Sequence, residues 1–225
     1  MQDQRRVVID YVSPSVNNGE FYIKRIVNEI VTIDANIMAD GHDVLGASVL
    51  YKHENAKSWK ESRMRLLSND EWQSSFVVEK QGFYTYKVQA WVDYALNWRY
   101  GLIRKINDGQ HVSSELLEGA EYIEALFNKV NAEDKAYLER LHGLFKNEDD
   151  YGEAITEATT ERLYNILYAN PVKFLDNESK TYEVYVDRKK ARFSTWYEFF
   201  PRSASEHEGV HGTFKDCERL LPRVK

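Results

Sequence analysis

Apolar and polar positions alternate from Val7 to about Asp93 and then change to a helical period. Val31, Ile33, Ala35 and Ile37 are separated by Thr32, Asp34 and Asn36, the spacing of a strand with one buried face. Tyr84, Tyr86, Val88, Ala90 and Val92 repeat that period after Gly82. Shorter apolar runs, Val7 to Ile9, Gly46 to Lys52, Met64 to Leu67 and Trp72 to Val78, are divided by Asp40-Gly41-His42-Asp43 and Ser68-Asn69-Asp70, whose residue types favour turns. Short strands at close spacing predict an immunoglobulin-like β-sandwich, here without that fold's cysteines.

After Asp93 the apolar positions fall three and four apart. Leu116, Ala120, Ile123, Phe127 and Val130 form one such stripe, which predicts an amphipathic helix. A second helix is predicted from Ala132, with Asn131 as its N-cap and Tyr137, Leu141, Leu144 and Phe145 as its buried side. A third runs from Tyr151 towards Ala169, with Ile155, Ala158, Leu163, Ile166 and Leu167 inward, and Asn170-Pro171 closes it. Tyr94 to Ile106 makes a fourth, ended by Asn107-Asp108-Gly109. Four helices with short polar connections predict an antiparallel bundle.

The strand period then returns in Tyr182, Val184 and Val186. A lone strand cannot satisfy its backbone groups, so residues 181–187 are expected to pair with 82–93. The helices are thus inserted into a hairpin of the sandwich, an addition that loop tips tolerate. The expected domains are 1–93 together with 181–190 as the sandwich, 94–180 as the inserted bundle, and 191–225 as the opening of a larger domain.

That last stretch reads as a strand apolar on both faces, with Phe193, Tyr197 and Phe199 on one side and Trp196 and Phe200 on the other. Such a strand is expected to lie between two layers. Pro201 stops it, and Thr213 with Asp216 has the spacing of a capping box that starts a helix. Pro222 leaves two possibilities open, a late helix start at Leu221 and a kink. The fold class predicted is α+β: a sandwich, an inserted helical bundle, and one strand and helix of an incomplete α/β domain.

Charge and composition narrow the chemistry. Residues 94–180 carry sixteen acidic and ten basic side chains, which accounts for the whole net charge of −6. The one dense basic run, Arg188 to Arg192, is too short for a phosphate-binding face, so nucleic acid is not an expected partner. No apolar run is long enough for a membrane span, and no export signal is evident at Met1 to Ile9. A cytoplasmic location is expected, with the single cysteine, Cys217, a reduced thiol on the buried side of a helix. His207-Glu208-Gly209-Val210-His211 satisfies H-E-x-x-H, but zinc binding by that motif requires a helix. Gly209 within it and Gly212 directly after it predict a polar loop, and no metal or cofactor is expected. His42, His53, His111 and His142 lie on separate elements without ligand spacing. Trp59, Trp72, Trp91 and Trp98 raise the alternative of a sugar-binding sandwich, since flat indoles suit sugar faces. Trp91, opposite in phase to Tyr84, Tyr86 and Val88, is the candidate for an outward face. Glu198, which interrupts an apolar strand, is the other candidate carbohydrate-binding residue, set against a buried ion pair.

The stretch Trp196-Tyr197-Glu198-Phe199-Phe200-Pro201-Arg202-Ser203, followed by Gly212-Thr213-Phe214 and Arg219-Leu220-Leu221-Pro222, resembles the first strand and helix of the α-amylase superfamily catalytic barrel. Arg6 to Ile9, Lys24-Arg25, Ala39 to Leu45, Gly82 to Tyr86 and Ala90 to Asp93 are similar to the amino-terminal region of the α-1,4-glucan:maltose-1-phosphate maltosyltransferases. The resemblance covers nearly the whole chain. It implies a (β/α)8 barrel after Lys225, whose aspartate nucleophile and glutamate acid/base transfer maltosyl from α-maltose 1-phosphate to the non-reducing end of an α-1,4-glucan. No catalytic residue is expected within 1–225, because those carboxylates belong to later strands. The resemblance also implies a homodimer in which the sandwich and the inserted helices meet their symmetry mates.

Overall fold

The computed structural model describes residues 6–173 and 175–224. They divide into two compact units, one reaching Asp187 and one beginning at Arg188.

The first unit opens with strands β1 (Val7–Ser13), β2 (Ile23–Ile26), β3 (Glu29–Ala39) and β4 (Leu45–His53). After these come β5 (Lys60–Arg63), β6 (Arg65–Ser68), β7 (Glu71–Val78) and β8 (Gly82–Val92). The alternation in β3 has the expected effect: Val31, Ile33 and Ile37 are fully buried, while Thr32 is exposed. Asn69 and Asp70 both take positive φ between β6 and β7, a conformation these residues tolerate and one that matches the twist of paired strands.

Five helices follow: α1 (Tyr94–Asn107), α2 (Ser113–Glu124), α3 (Ala132–Phe145), α4 (Tyr151–Ala158) and α5 (Glu161–Ala169). Asn131 caps α3 through its side-chain oxygen, which accepts from Asp134 N at 2.9 Å. The single helix expected over 151–169 is divided at Thr159-Thr160. Thr159 Oγ1 donates to Thr156 O at 2.9 Å, and Thr160 Oγ1 accepts from Leu163 N at 3.3 Å with the Thr160 backbone extended. Threonine hydroxyls compete with helical hydrogen bonds, so two in succession end one helix and cap the next.

The chain then returns to the sheet as β9 (Asn177–Glu178) and β10 (Tyr182–Asp187). β10 runs antiparallel to β8, with Val184 opposite Tyr84, and parallel to β2. The pairing of 181–187 with 82–93 is therefore present, and all five helices lie between the two strands in sequence. Two sheets result, ordered β1-β3-β7-β6 and β2-β10-β8-β4-β5, with β9 also on β8. Val31, Ile33 and Phe76 from the first share one apolar core with Val49, Tyr86 and Val88 from the second. The helices enclose a separate core built on Leu102, Ile123, Leu141 and Leu163. None of the helices among the described residues is long and apolar enough to cross a membrane.

The second unit does not carry the strand that its apolar pattern predicts for an enclosed layer. Residues 193–200 join no sheet among the described residues. Trp196 is 94% exposed and Phe193 80%, so the strand with two buried faces is not formed within this chain. The physical reason is that a strand needs neighbours for its backbone groups, and none of the described residues pairs with this stretch. A short 3-10 turn at Pro201–Ala204 follows, then α6 (Phe214–Leu220) and a final turn at Leu221–Arg223. The capping box is present: Thr213 N and Thr213 Oγ1 each donate to Asp216 Oδ2 at 2.7 Å. These bonds hold the Asp216 carboxyl below its usual range. Pro222 falls in the turn after α6, where its missing N–H interrupts no helix. Cys217 is half-buried and free.

Candidate functional site

The most developed constellation of polar and aromatic side chains lies where β8 passes into α1. Asp93 ends the strand period and directly precedes the first helical residue, which is an N-cap position. Its side chain is only 1% exposed. Oδ1 accepts from Leu96 N at 3.2 Å, and Oδ2 accepts from Arg63 Nη2 at 3.2 Å. The Arg63 guanidinium lies over two rings, its central carbon 4.7 Å from the centroid of Trp91 and 4.7 Å from that of Tyr168. Lys173 Nζ lies 4.6 Å from the Trp91 centroid and donates to Glu61 Oε1 at 2.7 Å and to Gln89 Oε1 at 3.0 Å. Gln89 Nε2 in turn donates to Asp176 Oδ2 at 2.6 Å. Gly46 leaves room for the indole, since a Cβ there would sit 2.5 Å from Trp91.

This arrangement decides the position of Trp91. It does occupy the face opposite Tyr84, Tyr86 and Val88, but it is 0% exposed, with Arg63 and Lys173 over the ring. As placed, it has no open face for a sugar. Trp72 and Trp98 are buried too, and Trp59 is half-buried beneath Lys52 and Lys87, 4.8 and 5.1 Å from its centroid. Glu198 is exposed on the second unit. His207, Glu208 and His211 are also exposed and lie in a turn, with Gly209 at φ +74° and Val210 N donating to His207 O at 3.3 Å. They precede α6, so the two histidines are not stacked on one helical turn. Among the described residues no group of three or more His, Cys, Asp or Glu side chains is arranged to hold a metal.

A concavity of about 210 Å³ lies against the β4–β5 loop between Lys52, Lys60, Lys80, Tyr51 and Tyr84. His53, which lines it, has both ring nitrogens engaged by the chain: Nε2 with Gln81 O at 2.9 Å and Nδ1 accepting from Asn55 N at 3.2 Å. It is a loop clasp, because neither nitrogen is left for a ligand.

The residues that sequence reasoning missed are Arg63, Tyr168 and Lys173. Asp93 carried a signal, being an acid at the change of period. Arg63 carried none, because its partners come from positions 91, 93 and 168.

Three carboxylates set how this unit responds to acid. Burial pushes the Glu61 carboxyl up, but hydrogen bonds from Lys173 and Ser48 outweigh it and the net displacement is downward. Glu115 is held low by Lys105, and Glu157 by Arg140 and Tyr137. A depressed carboxylate stabilises the fold above its unfolded value, 4.5 for these groups, and that contribution is lost as pH falls through the folded value. Glu115 and Glu157 both lie in the helices. The unit is therefore expected to lose stability as pH is lowered below about 4.5, and Glu115→Gln with Glu157→Gln is expected to reduce that loss in acid unfolding followed by circular dichroism. An unchanged loss in that variant would count against this assignment.

Residues 5–188 match the family described as α-1,4-glucan:maltose-1-phosphate maltosyltransferase, domain N/S. The protein of that name from Chlorobaculum tepidum is 40% identical over 222 residues, 98% of this chain and 33% of the relative. Those from Methylacidiphilum infernorum and Myxococcus xanthus are each 35% identical, over 98% and 97% of this chain and 33% and 34% of their own length. The chain thus spans about a third of the curated relatives it matches. With two sheets sharing one core, a helical body between β8 and β10 and a family match over 184 of its residues, from 5 to 188, this chain belongs to the N/S domain family of the α-1,4-glucan:maltose-1-phosphate maltosyltransferases.

Proposed function

We propose that this chain is the non-catalytic amino-terminal portion of a maltosyltransferase that moves maltosyl from α-maltose 1-phosphate to the non-reducing end of α-1,4-glucans. Its own work is dimerisation and support of the catalytic barrel. In this reading the sheets are an immunoglobulin-like sandwich (1–93 with 181–190), residues 94–180 are an inserted bundle, and residues 191–225 are the first strand and helix of a (β/α)8 barrel. The observation that carries it is the aromatic run at 193–200, exposed here and lying after residues 5–188, which match the family, in a chain that spans about a third of each relative. A large exposed apolar patch marks a surface that is covered in the working molecule. Active sites of such barrels are assembled from several strand ends, which one strand does not provide. Dimerisation takes place through the sandwich and helices, as a self-complementary two-fold contact, in a cytoplasmic enzyme.

The test grafts this chain in place of the corresponding region of the Chlorobaculum tepidum protein. The isolated chain is expected to give no maltosyl transfer. The chimera is expected to be active, and Trp196→Ser with Phe200→Ser to cut its soluble active yield at least tenfold. A chimera indifferent to both substitutions would contradict the barrel reading. A monomeric mass for the chain at tens of micromolar in sedimentation would contradict the dimer.

A further inference from the structure

We infer that Arg63 is the central member of a rigid joint that fixes the angle between the helical body and the sheets. This rests on unit geometry and not on the functional reading above. The sheet core and the helical core are separate apolar clusters, with Tyr94 reaching towards the first and Val44 towards the second. The backbone connects them at two places only, from Asp93 into α1 and from α5 back to β9. Two bodies with separate cores and two covalent links can pivot unless side chains lock them.

The lock is polar and aromatic. Arg63 belongs to β5 on the edge of the larger sheet. Its guanidinium lies over the rings of Trp91 in the sheet and Tyr168 in α5, and its Nη2 reaches the carboxylate that caps α1. The first and last helices of the body are therefore both referenced to one planar group. A guanidinium serves this purpose because its two faces stack while its edge donates; an ammonium has no plane to align. Arg99 keeps the helices together as they are positioned, since its Nη2 donates to Thr159 O at 2.7 Å and Thr160 O at 3.0 Å, tying α1 to the α4–α5 junction. Buried ion pairs contribute less to stability than well-packed apolar side chains of like volume. The Arg63–Asp93 pair is better suited to setting a geometry than to adding stability.

The test uses the full chain with Cys217→Ser and spin labels at Thr32→Cys on β3 and Ala136→Cys on α3, both exposed positions. Their separation is read by double electron–electron resonance. Arg63→Ala, Tyr168→Leu and Arg63→Lys are each expected to broaden the distance distribution at least twofold, with far-UV circular dichroism unchanged. The combination of Arg63→Ala and Tyr168→Leu is expected to broaden it no further than either alone. Asp93→Asn, which keeps the helix cap but not the charge, guards against loss of folding in the arginine variants and is also expected to broaden it. An unchanged width in the folded variants, even with a lowered melting temperature, would overturn the inference, and so would full rescue by Arg63→Lys.

Discussion

Replacing Trp98 by alanine is expected to lower the unfolding free energy of the first unit by about 3–5 kcal/mol, the usual cost of deleting a large buried aromatic. Trp98 is 6% exposed and lies where α1, α2 and α3 meet. Its ring centroid is 6.2 Å from that of Tyr122 and 6.1 Å from that of Phe145, and its Nε1 donates to Glu115 O at 2.6 Å. The substitution removes the volume that fills the helical core and deletes the indole hydrogen bond to Glu115 O, so both terms have the same sign. Gly119 makes the effect specific to this contact. A Cβ there would sit 2.0 Å from Trp98 Cζ2, so Gly119→Ala in the native chain is expected to be destabilising by overpacking, about 1–3 kcal/mol. In the Trp98→Ala background the same methyl enters vacated space and is expected to be neutral or favourable. Urea unfolding followed by circular dichroism measures all four corners of the cycle. Additivity across them would mean that the indole and the glycine do not share one space.

Asp93→Ala is expected to cost about 3 kcal/mol, the lower end of the range for removing one partner of a buried ion pair. Two losses combine in one carboxylate. α1 loses the acceptor for Leu96 N, and Arg63 keeps its stacked position with no counter-charge at 3.2 Å. Asparagine caps helices nearly as well as aspartate, so Asp93→Asn separates the two and is expected to cost clearly less. Equal losses in the two variants would assign the whole effect to the charge. A cost below about 1 kcal/mol for Asp93→Ala would show that the pair is solvated and contributes as a surface pair does.

Much of this architecture is legible along the chain because it is written in side-chain periods. The strand positions Val31, Ile33, Ala35 and Ile37 are buried because alternate residues share a face. Asn131 and the Thr213–Asp216 pair act as caps because capping needs only residues three positions apart. The return of the strand period at Tyr182 was enough to place β10 on β8, since an isolated strand leaves its backbone unsatisfied. The division of the last long helix at Thr159-Thr160 was less legible, because the apolar stripe continues through it and only the hydroxyl bonds interrupt it.

Trp91 and the aromatic run at 193–200 show one limit of reading faces from a period. Trp91 reads as outward from its phase, and phase is correct, yet the outer face of a strand is open only if nothing packs on it. Phe193, Trp196 and Phe200 read as inward from their apolarity, and they are exposed because burial requires a second surface. Sequence by itself determined local periods, caps, turns and the family to which the chain belongs. Tertiary structure alone decided which faces are covered, and it brought Trp91, Asp93 and Tyr168 around Arg63. Periodicity is a property of neighbours in the chain, while cover is a property of neighbours in space.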